Sequence, residues 1–510
     1  MSENATQSDD TGIIRLHASD NVVVAAYALP AGLKIARENI TTRDAIPFGH
    51  KIATRAISQG EPVRKYGQVI GVATKDIAAG AHVHVQNLTT SDLREEAGKI
   101  ATFHADGQPR SFMGYKRRDG RVGTRNYVAV LTSVNCSATV AKFIAEQAQK
   151  RGLLQAHPNV DGIVPIVHQS GCGMASQGEL YDLLVRTLWG TANNPNFAAV
   201  LLVGLGCEVP QIARIQKDYN IQVGPQFQSF TIQDVGGTRK AVEEGIARLK
   251  DILPEAGRAT RSEQPASEIV VGLQCGGSDA WSGVTGNPAL GNASDRLVAL
   301  GGTVILSETP EIYGAEHLLY ARAASPEISK KLRERIVWWE NYTRLNNMEM
   351  NNNPSPGNKA GGLTTILEKS LGAVAKAGTS PLNEVIEYAK PISKRGLVYM
   401  DSPGLDPCSA TGQVASGANL IAFTTGRGSA YGCKPTPSIK LATNTAMYER
   451  MRDDMDINCG TIATGDQSIP QKGAEILDYM LEVASGKKTK SEELGYGEME
   501  FVPWHIGAVM

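Results

Sequence analysis

Long apolar runs are missing from this chain. The longest extends from Phe197 to Leu205, far short of the ~20 residues that a membrane-spanning helix needs. A charge excess of either sign is missing too. The 510 residues carry 51 lysines and arginines against 52 acidic residues, so no strong field draws the chain to nucleic acid or to an anionic membrane. The segment Met1 to Thr11 is polar and acidic and has neither the basic nor the apolar region of a secretory signal. These absences predict a cytoplasmic protein with a disordered tail over residues 1–12 and with neither nucleic acid nor membrane as partner.

Close cysteine pairs are lacking as well. The seven cysteines are odd in number and never spaced C-x-x-C. That excludes a zinc ribbon or a ferredoxin run and argues against a disulfide framework. Free thiols then serve core packing, metal ligation or catalysis. A P-loop is absent, because no Ser or Thr follows Lys359. Gly204-Leu-Gly206 starts like a dinucleotide fingerprint, but Val209 stands where its third glycine belongs, so no nucleotide site is expected.

Glycine is abundant, at 53 residues, and clusters in short polar loops of the kind that let backbone approach a ligand. Over residues 13–90 one turn pattern occurs three times. It runs Leu29 through Gly32 to Ile35, Ile57 through Gly60 to Val63, and Ile77 through Gly80 to Val83. Strands such as 21–26 and 68–73 lie between, which predicts a small all-β module. Residues 91–112 read as a linker. Beyond them strands and helices alternate, with apolar runs at 127–134, 160–167, 198–203, 269–273, 303–306, 397–400 and 420–423, and helical stretches at 137–151, 328–342 and 444–455. Short continuous apolar runs suit buried parallel strands, so this part is α/β with a mostly parallel sheet. A polar stretch from Glu255 to Ser267 separates a middle domain (113–258) from a C-terminal one (265–510).

The polar residues gather just after the strands, where open parallel sheets bind ligands. Asn135-Cys136, His168 with Cys172-Gly173, Gly206-Cys207-Glu208 and Cys275-Gly-Gly-Ser278-Asp279 each follow an apolar run, and Ser307-Glu308 follows another. Thiolates there suit a soft or borderline metal such as iron or zinc, while a single cysteine in such a place serves equally as a small gap-filling hydrophobe. The proline-fixed loop Asn353 to Gly362 offers Asn358 and Lys359 to a carboxylate or hydroxyls. Thr424-Thr425-Gly426-Arg427-Gly428 offers hydroxyls and a guanidinium. In the β module His17 lies beside Asp20-Asn21, His50 sits in Gly49-His50-Lys51, and His82 and His84 alternate, which puts them on one face of a strand.

With these motifs in order the sequence resembles the altronate dehydratase and galactarate dehydratase family. The resemblance rests on Leu16 to Asn21, Gly49-His-Lys51, Lys65-Tyr-Gly67, Gly114 to Gly120, Gly123-Thr-Arg-Asn126, Gly204 to Glu208, Gln274 to Asp279, Asn353 to Gly362 and Thr424 to Gly428, and covers most of the chain. It implies an N-terminal β-clip module of the SAF type, a middle domain associated with dimerisation, hence a homodimer, and a C-terminal Rossmann-like domain. It also implies a ferrous-iron-dependent dehydratase that turns a hexonic or hexaric acid into a 2-keto-3-deoxy acid.

Such a reaction needs a base for the α-proton, an acid for the leaving β-hydroxyl and a Lewis acid for the developing enediolate. The expected acid–base groups are His17, His50 and Lys51. The pool for metal is Cys136, His168, Cys172, Cys207, Cys275, Asp279 and Glu308, and the expected substrate ligands are Arg125, Asn358, Lys359, Thr425 and Arg427. Ferrous iron is the expected cofactor, with another divalent metal or an iron–sulfur cluster as alternatives. A sulfite-releasing lyase and a non-catalytic sugar-acid sensor are the rival functions. Glu311 to Glu316 is similar to the altronate branch, whereas Trp339 to Tyr342 and Asp456 to Asn458 are similar to the galactarate branch; the sequence leans slightly to altronate.

Overall fold

The computed structural model describes residues 12–90 and 108–507; the expected tail, up to residue 11, and most of the expected linker lie outside the described residues. The β module is built from antiparallel strands. Ile13–Ile14, Val22–Ala25, Lys51–Ala53 and His82–Val83 form one sheet, Pro62–Lys65, Gln68–Ala73 and Leu88–Thr89 a second, and Lys34–Ile35 with Ile40–Thr41 a third. The three repeated turns explain the module's shape. Gly32, Gly60 and Gly80 have φ of 83°, 80° and 80°, a left-handed conformation that favours glycine. Each turn buries the apolar residue on either side of it, from Leu29, Ile57 and Ile77 to Ile35, Val63 and Val83.

The middle domain holds a four-stranded parallel sheet in the order Gly162–Ile166, Tyr127–Thr132, Phe197–Gly204, Phe227–Thr231. Its central strand alternates between two cores. Tyr127, Ala129 and Leu131 pack with the helix Glu179–Ala192, and Val128 and Val130 pack with Ala138–Lys150 and Thr238–Ala256. Period-two alternation with apolar residues on both faces is the signature of a doubly covered strand.

The C-terminal domain holds seven strands, all parallel, in the order Leu382–Ile386, Gly396–Met400, Thr303–Leu306, Val270–Cys275, Leu420–Thr425, Ser438–Ala442, Ile457–Asn458. The chain starts in the centre, builds to one side, then returns to build the other. The switch in direction falls between Val270–Cys275 and Leu420–Thr425, and the crevice outside the carboxyl ends of such a pair is where open α/β sheets bind ligands.

Two boundaries differ from expectation. Ser111–Lys116 pairs with Ser262–Pro265, so the segments before and after the middle domain join in one small sheet rather than run as free linkers. The expected helix over 444–455 is only Thr445–Arg450, because Asp453 and Asp454 sit unfavourably at the negative end of a helix dipole. No helix among the described residues is long and apolar enough to cross a membrane.

Candidate active site

The β module lies on the carboxyl end of the seven-stranded sheet. Trp281, just beyond the Cys275 to Asp279 loop, packs with Ile14, Val24 and Ala26 of the module and stacks on Phe48 with ring centroids 5.0 Å apart. At the centre of this contact a charged triad is buried. Lys51 Nζ donates to Gly362 O at 2.8 Å and to both Glu368 carboxylate oxygens at 3.1 and 3.0 Å. Lys65 Nζ donates to Glu368 Oε1 at 2.9 Å. Thr364 adds its N–H and hydroxyl at 3.0 and 2.6 Å. All three charged side chains are 0–1% exposed. Burial pushes the Lys51 ammonium down to about 8, helped by Lys65 and resisted by Glu368. Burial would raise Glu368, but the two lysines hold it well below the usual carboxylate range.

Beside this triad the histidines converge. His50 Nδ1 and His82 Nε2 are 2.9 Å apart, the His84 ring centroid is 4.7 Å from that of His50, and the three residues offer nitrogens that all lie within 4.8 Å of one another. His84 Nδ1 is buried without a hydrogen-bond partner. Burial lowers all three, His50 to about 4 and His84 to about 3, with Lys51 adding to the effect. Three neutral imidazoles with an orphaned ring nitrogen form a donor set suited to a divalent metal such as iron or zinc. His50 also hydrogen-bonds the backbone of Ala360, which ties the trio to the loop 353–362.

A second charged group sits under the sheet end. Lys376 Nζ lies 2.9 Å from Cys275 Sγ and 3.9 Å from Glu308 Oε2. Lys369 Nζ bonds Glu311 Oε1 at 2.6 Å and Asn353 Oδ1 at 3.0 Å. Cys275, Glu308 and Glu311 offer donor atoms within 4.8 Å of one another, but two ammonium groups already neutralise them. Burial raises the Cys275 thiol to about 11, so it keeps its proton. Glu308 has φ of 72°, rare outside glycine, and both its carboxylate oxygens are buried without a hydrogen bond. Burial, then Glu311, pushes Glu308 well above the carboxylate range, while Lys369 and Lys376 overcome burial and hold Glu311 below it. Two carboxyls with affinities pushed apart are the pattern of an acid beside a base. Asp406, half-buried in the first turn of the helix Asp406–Ser416, is raised to about 7 by burial and Glu311. A side chain on Gly276 would collide with the Asp406 carboxylate, so the glycine after Cys275 is what admits it.

The other expected residues separate. Lys359 is half-buried and Arg427 exposed at the same sheet end, and neither makes an ion pair with a described residue. Thr425 is buried and accepts from Gly428 N at 3.0 Å. Asn358 is engaged in capping its own short helix and donates to Ser278 O at 2.8 Å. Asp279 is saturated by Trp281, Ser282, Thr443 and Asn444, so it anchors the loop. His17 is exposed and bonded to Ser19 at 2.8 Å. Arg125 is buried elsewhere, paired with Glu492 at 2.6 Å and bonded to the carbonyls of Thr124, Val483 and Lys487, which ties the middle domain to the C-terminal one. Cys136, His168, Cys172 and Cys207 all belong to the other sheet. His168 there has both ring nitrogens engaged, by Thr132 O and Ser170 N at 3.1 Å each, and presents no free lone pair. The sequence reading missed Lys65, Glu311, Glu368, Lys369, Lys376 and Asp406 as site residues. Glu368-Lys369 carries a signal that finds it: two charges inside the fully buried helix Ile366–Val374.

All three parts of the chain match one enzyme family. Residues 266–509 match the family described as D-galactarate/altronate dehydratase, C-terminal. Residues 114–257 match the second domain of D-galactarate dehydratase/altronate hydrolase, and residues 11–91 the altronate/galactarate dehydratase SAF domain. The galactarate dehydratase (L-threo-forming) of Escherichia coli is 40% identical over 94% of each chain. An altronate dehydratase of Bacillus subtilis is 35% identical over 95% of this chain and 97% of the relative. The (2R)-sulfolactate sulfo-lyase subunit beta of Chromohalobacter salexigens is 30% identical over 76% of this chain and 96% of its own.

Proposed function

Since the chain belongs to the D-galactarate/altronate dehydratase family, we propose that it removes water from a six-carbon sugar acid to give a 2-keto-3-deoxy acid. The Cα–H and Cβ–OH bonds break, the proton and hydroxyl leave as water, and the enol tautomerises to the ketone. The observation that carries this reading is the His50–His82–His84 trio held against the sheet end by the Lys51–Glu368–Lys65 triad. The trio would hold the metal, with ferrous iron the first choice, and the metal supplies Lewis acidity towards the carboxylate next to the acidic carbon.

The chain's own groups do the rest. Lys359 and Arg427, which form no ion pair with a described residue, hold substrate carboxylate and hydroxyls at the rim. Asp406, with a proton to exchange near neutral pH, protonates the departing hydroxyl. Two unpaired cations suit a dicarboxylate, and the higher identity to a galactarate dehydratase points the same way. Galactarate is therefore favoured over altronate, against the slight lean of the sequence motifs.

An anaerobic assay of iron-loaded protein against galactarate and altronate, with detection of the keto product, tests this. Turnover with galactarate at kcat/KM at least ~10-fold above altronate is expected, a difference of about 1.4 kcal/mol. Preference for altronate overturns the choice of acid; sulfite released from sulfolactate with no turnover of either sugar acid overturns dehydration. Because Asp406 acts protonated and is raised to about 7, kcat is expected to fall as pH rises through that value. Asp406→Asn is expected to lower kcat by ~10²–10⁴ and remove the inflection; an unchanged profile removes Asp406 from the mechanism.

A further inference from the structure

Three of the seven cysteines are exposed, Cys136, Cys172 and Cys207, while the others are buried or intermediate. Cysteine is among the residue types most often buried, so three exposed thiols in one domain are unusual. They are also not scattered. Each follows a different strand of the middle sheet, Tyr127–Thr132, Gly162–Ile166 and Phe197–Gly204. These three strands are adjacent and parallel, so their carboxyl ends form one rim, at the point where this sheet also switches direction.

The loops bearing the thiols are laced together. Asn135 N donates to Ser170 O at 2.9 Å and Val209 N to Gly171 O at 3.1 Å. Ser133 Oγ donates to Glu208 Oε1 and Gly206 N to Glu208 Oε2, both at 2.6 Å. Gly171, at φ 99°, lies so close that a Cβ would stand 2.6 Å from Ser133 O. Gly173 and Gly206, beside Cys172 and Cys207, also have positive φ. Loops of this kind turn backbone N–H groups into concavities that hold phosphates and iron–sulfur centres. A cavity of about 590 Å³ opens beside the rim, lined by Asn135, His168, Gln169 and Ser170 among others.

A single metal ion does not fit the spacing. A tetrahedral zinc with bonds of ~2.3 Å draws its sulfurs to about 3.8 Å apart. The three thiols are not among the described groups whose donor atoms all lie within 4.8 Å of one another. A cluster suits wider spacing, because each thiolate takes a different iron.

We propose that Cys136, Cys172 and Cys207 together ligate an iron–sulfur cluster of the cubane type on this rim. The cluster enters preformed. Each cysteine loses its proton as its sulfur bonds an iron, and each displaced exogenous thiolate leaves carrying that proton, so no iron changes oxidation state. The fourth iron has no cysteine and keeps an exogenous ligand. This centre is separate from the histidine trio and does not rest on the dehydratase reading.

The test is anaerobic transfer of a thiolate-ligated cubane cluster to the full-length protein, followed by desalting. The expected result is visible charge-transfer absorbance with about four iron and four sulfide per chain. Each of Cys136→Ser, Cys172→Ser and Cys207→Ser is expected to lose most of it while keeping the native far-UV circular dichroism. Cys433→Ser and the double variant His82→Ala/His84→Ala are expected to keep it. Failure of the wild type to retain sulfide, retention by the triple serine variant, or stoichiometric zinc binding at these thiols in place of the cluster overturns the proposal.

Discussion

The two parallel sheets of this chain expose their carboxyl ends to opposite surroundings. The seven-stranded sheet has its switch point covered by the β module, and the space left between them is a gap of about 10 Å³ lined by Tyr66, Cys275, Glu368 and Lys369 among others. The four-stranded sheet carries three exposed thiols after its strands, and a cavity of about 590 Å³ lies to one side, lined by Asn135, His168 and Ser170 and by residues of the segment 499–505. Both ends obey the same topological rule, yet the covered one gathers coupled lysines and carboxylates, whereas the open one buries His168 and Glu208 with neutral partners. Burial moves Lys51, Glu308 and Asp406 away from their ordinary affinities, with Glu311 adding to the shift of the two carboxyls. Topology nominates an edge; a second domain laid over it makes the edge chemically active.

That contrast breaks most readily at the triad. Glu368→Leu leaves two buried ammonium groups without a carboxylate, so a loss of about 3–5 kcal/mol is expected, read as a lower melting temperature of the module and the C-terminal domain. A small change would mean that water reaches the triad and the end is not sealed. Next in size is Arg125→Lys, which gives up the paired bonds to Glu492 and some of the carbonyl bonds. About 1.5–3 kcal/mol of stability is expected to go with KM unchanged; a raised KM at unchanged stability would place Arg125 in the substrate site after all. The smallest effect sharpens the same line. Arg427→Ala, exposed and unpaired, is expected to leave the melting temperature within about 0.5 kcal/mol of wild type and to raise KM roughly 10-fold.

Much of the fold was legible because its signals are local. Glycine at the same place in three turns announced the β module, and continuous apolar runs marked strands such as Thr303–Leu306 and Gln68–Ala73 to the residue. The helix Glu179–Ala192 was not marked, although Glu179, Asp182 and Arg186 recur at i, i+3 and i+7 opposite nine buried residues, a helical period present in the sequence. The site was legible by region only. Cysteines at four strand ends read alike in sequence, but the strands belong to two different sheets, so the pool for metal had to divide. His50 was singled out for its polar neighbours, whereas its partners His82 and His84 become a site only when the strand Lys51–Ala53 pairs with His82–Val83. Asp406 carried no signal, because its affinity comes from burial and from Glu311, both set by tertiary contacts.

The triad joins residues 317 and 303 positions apart in the chain. On a ribosome working at about 5–20 residues per second, the β module is complete roughly 15–60 s before Glu368 exists. During that interval Lys51 and Lys65 have no Glu368 to pair with, even after Trp281 has been made. Closure of the active end thus waits on the C-terminal domain, and a chain truncated before residue 368 carries a finished module whose two lysines lack their counter-charge.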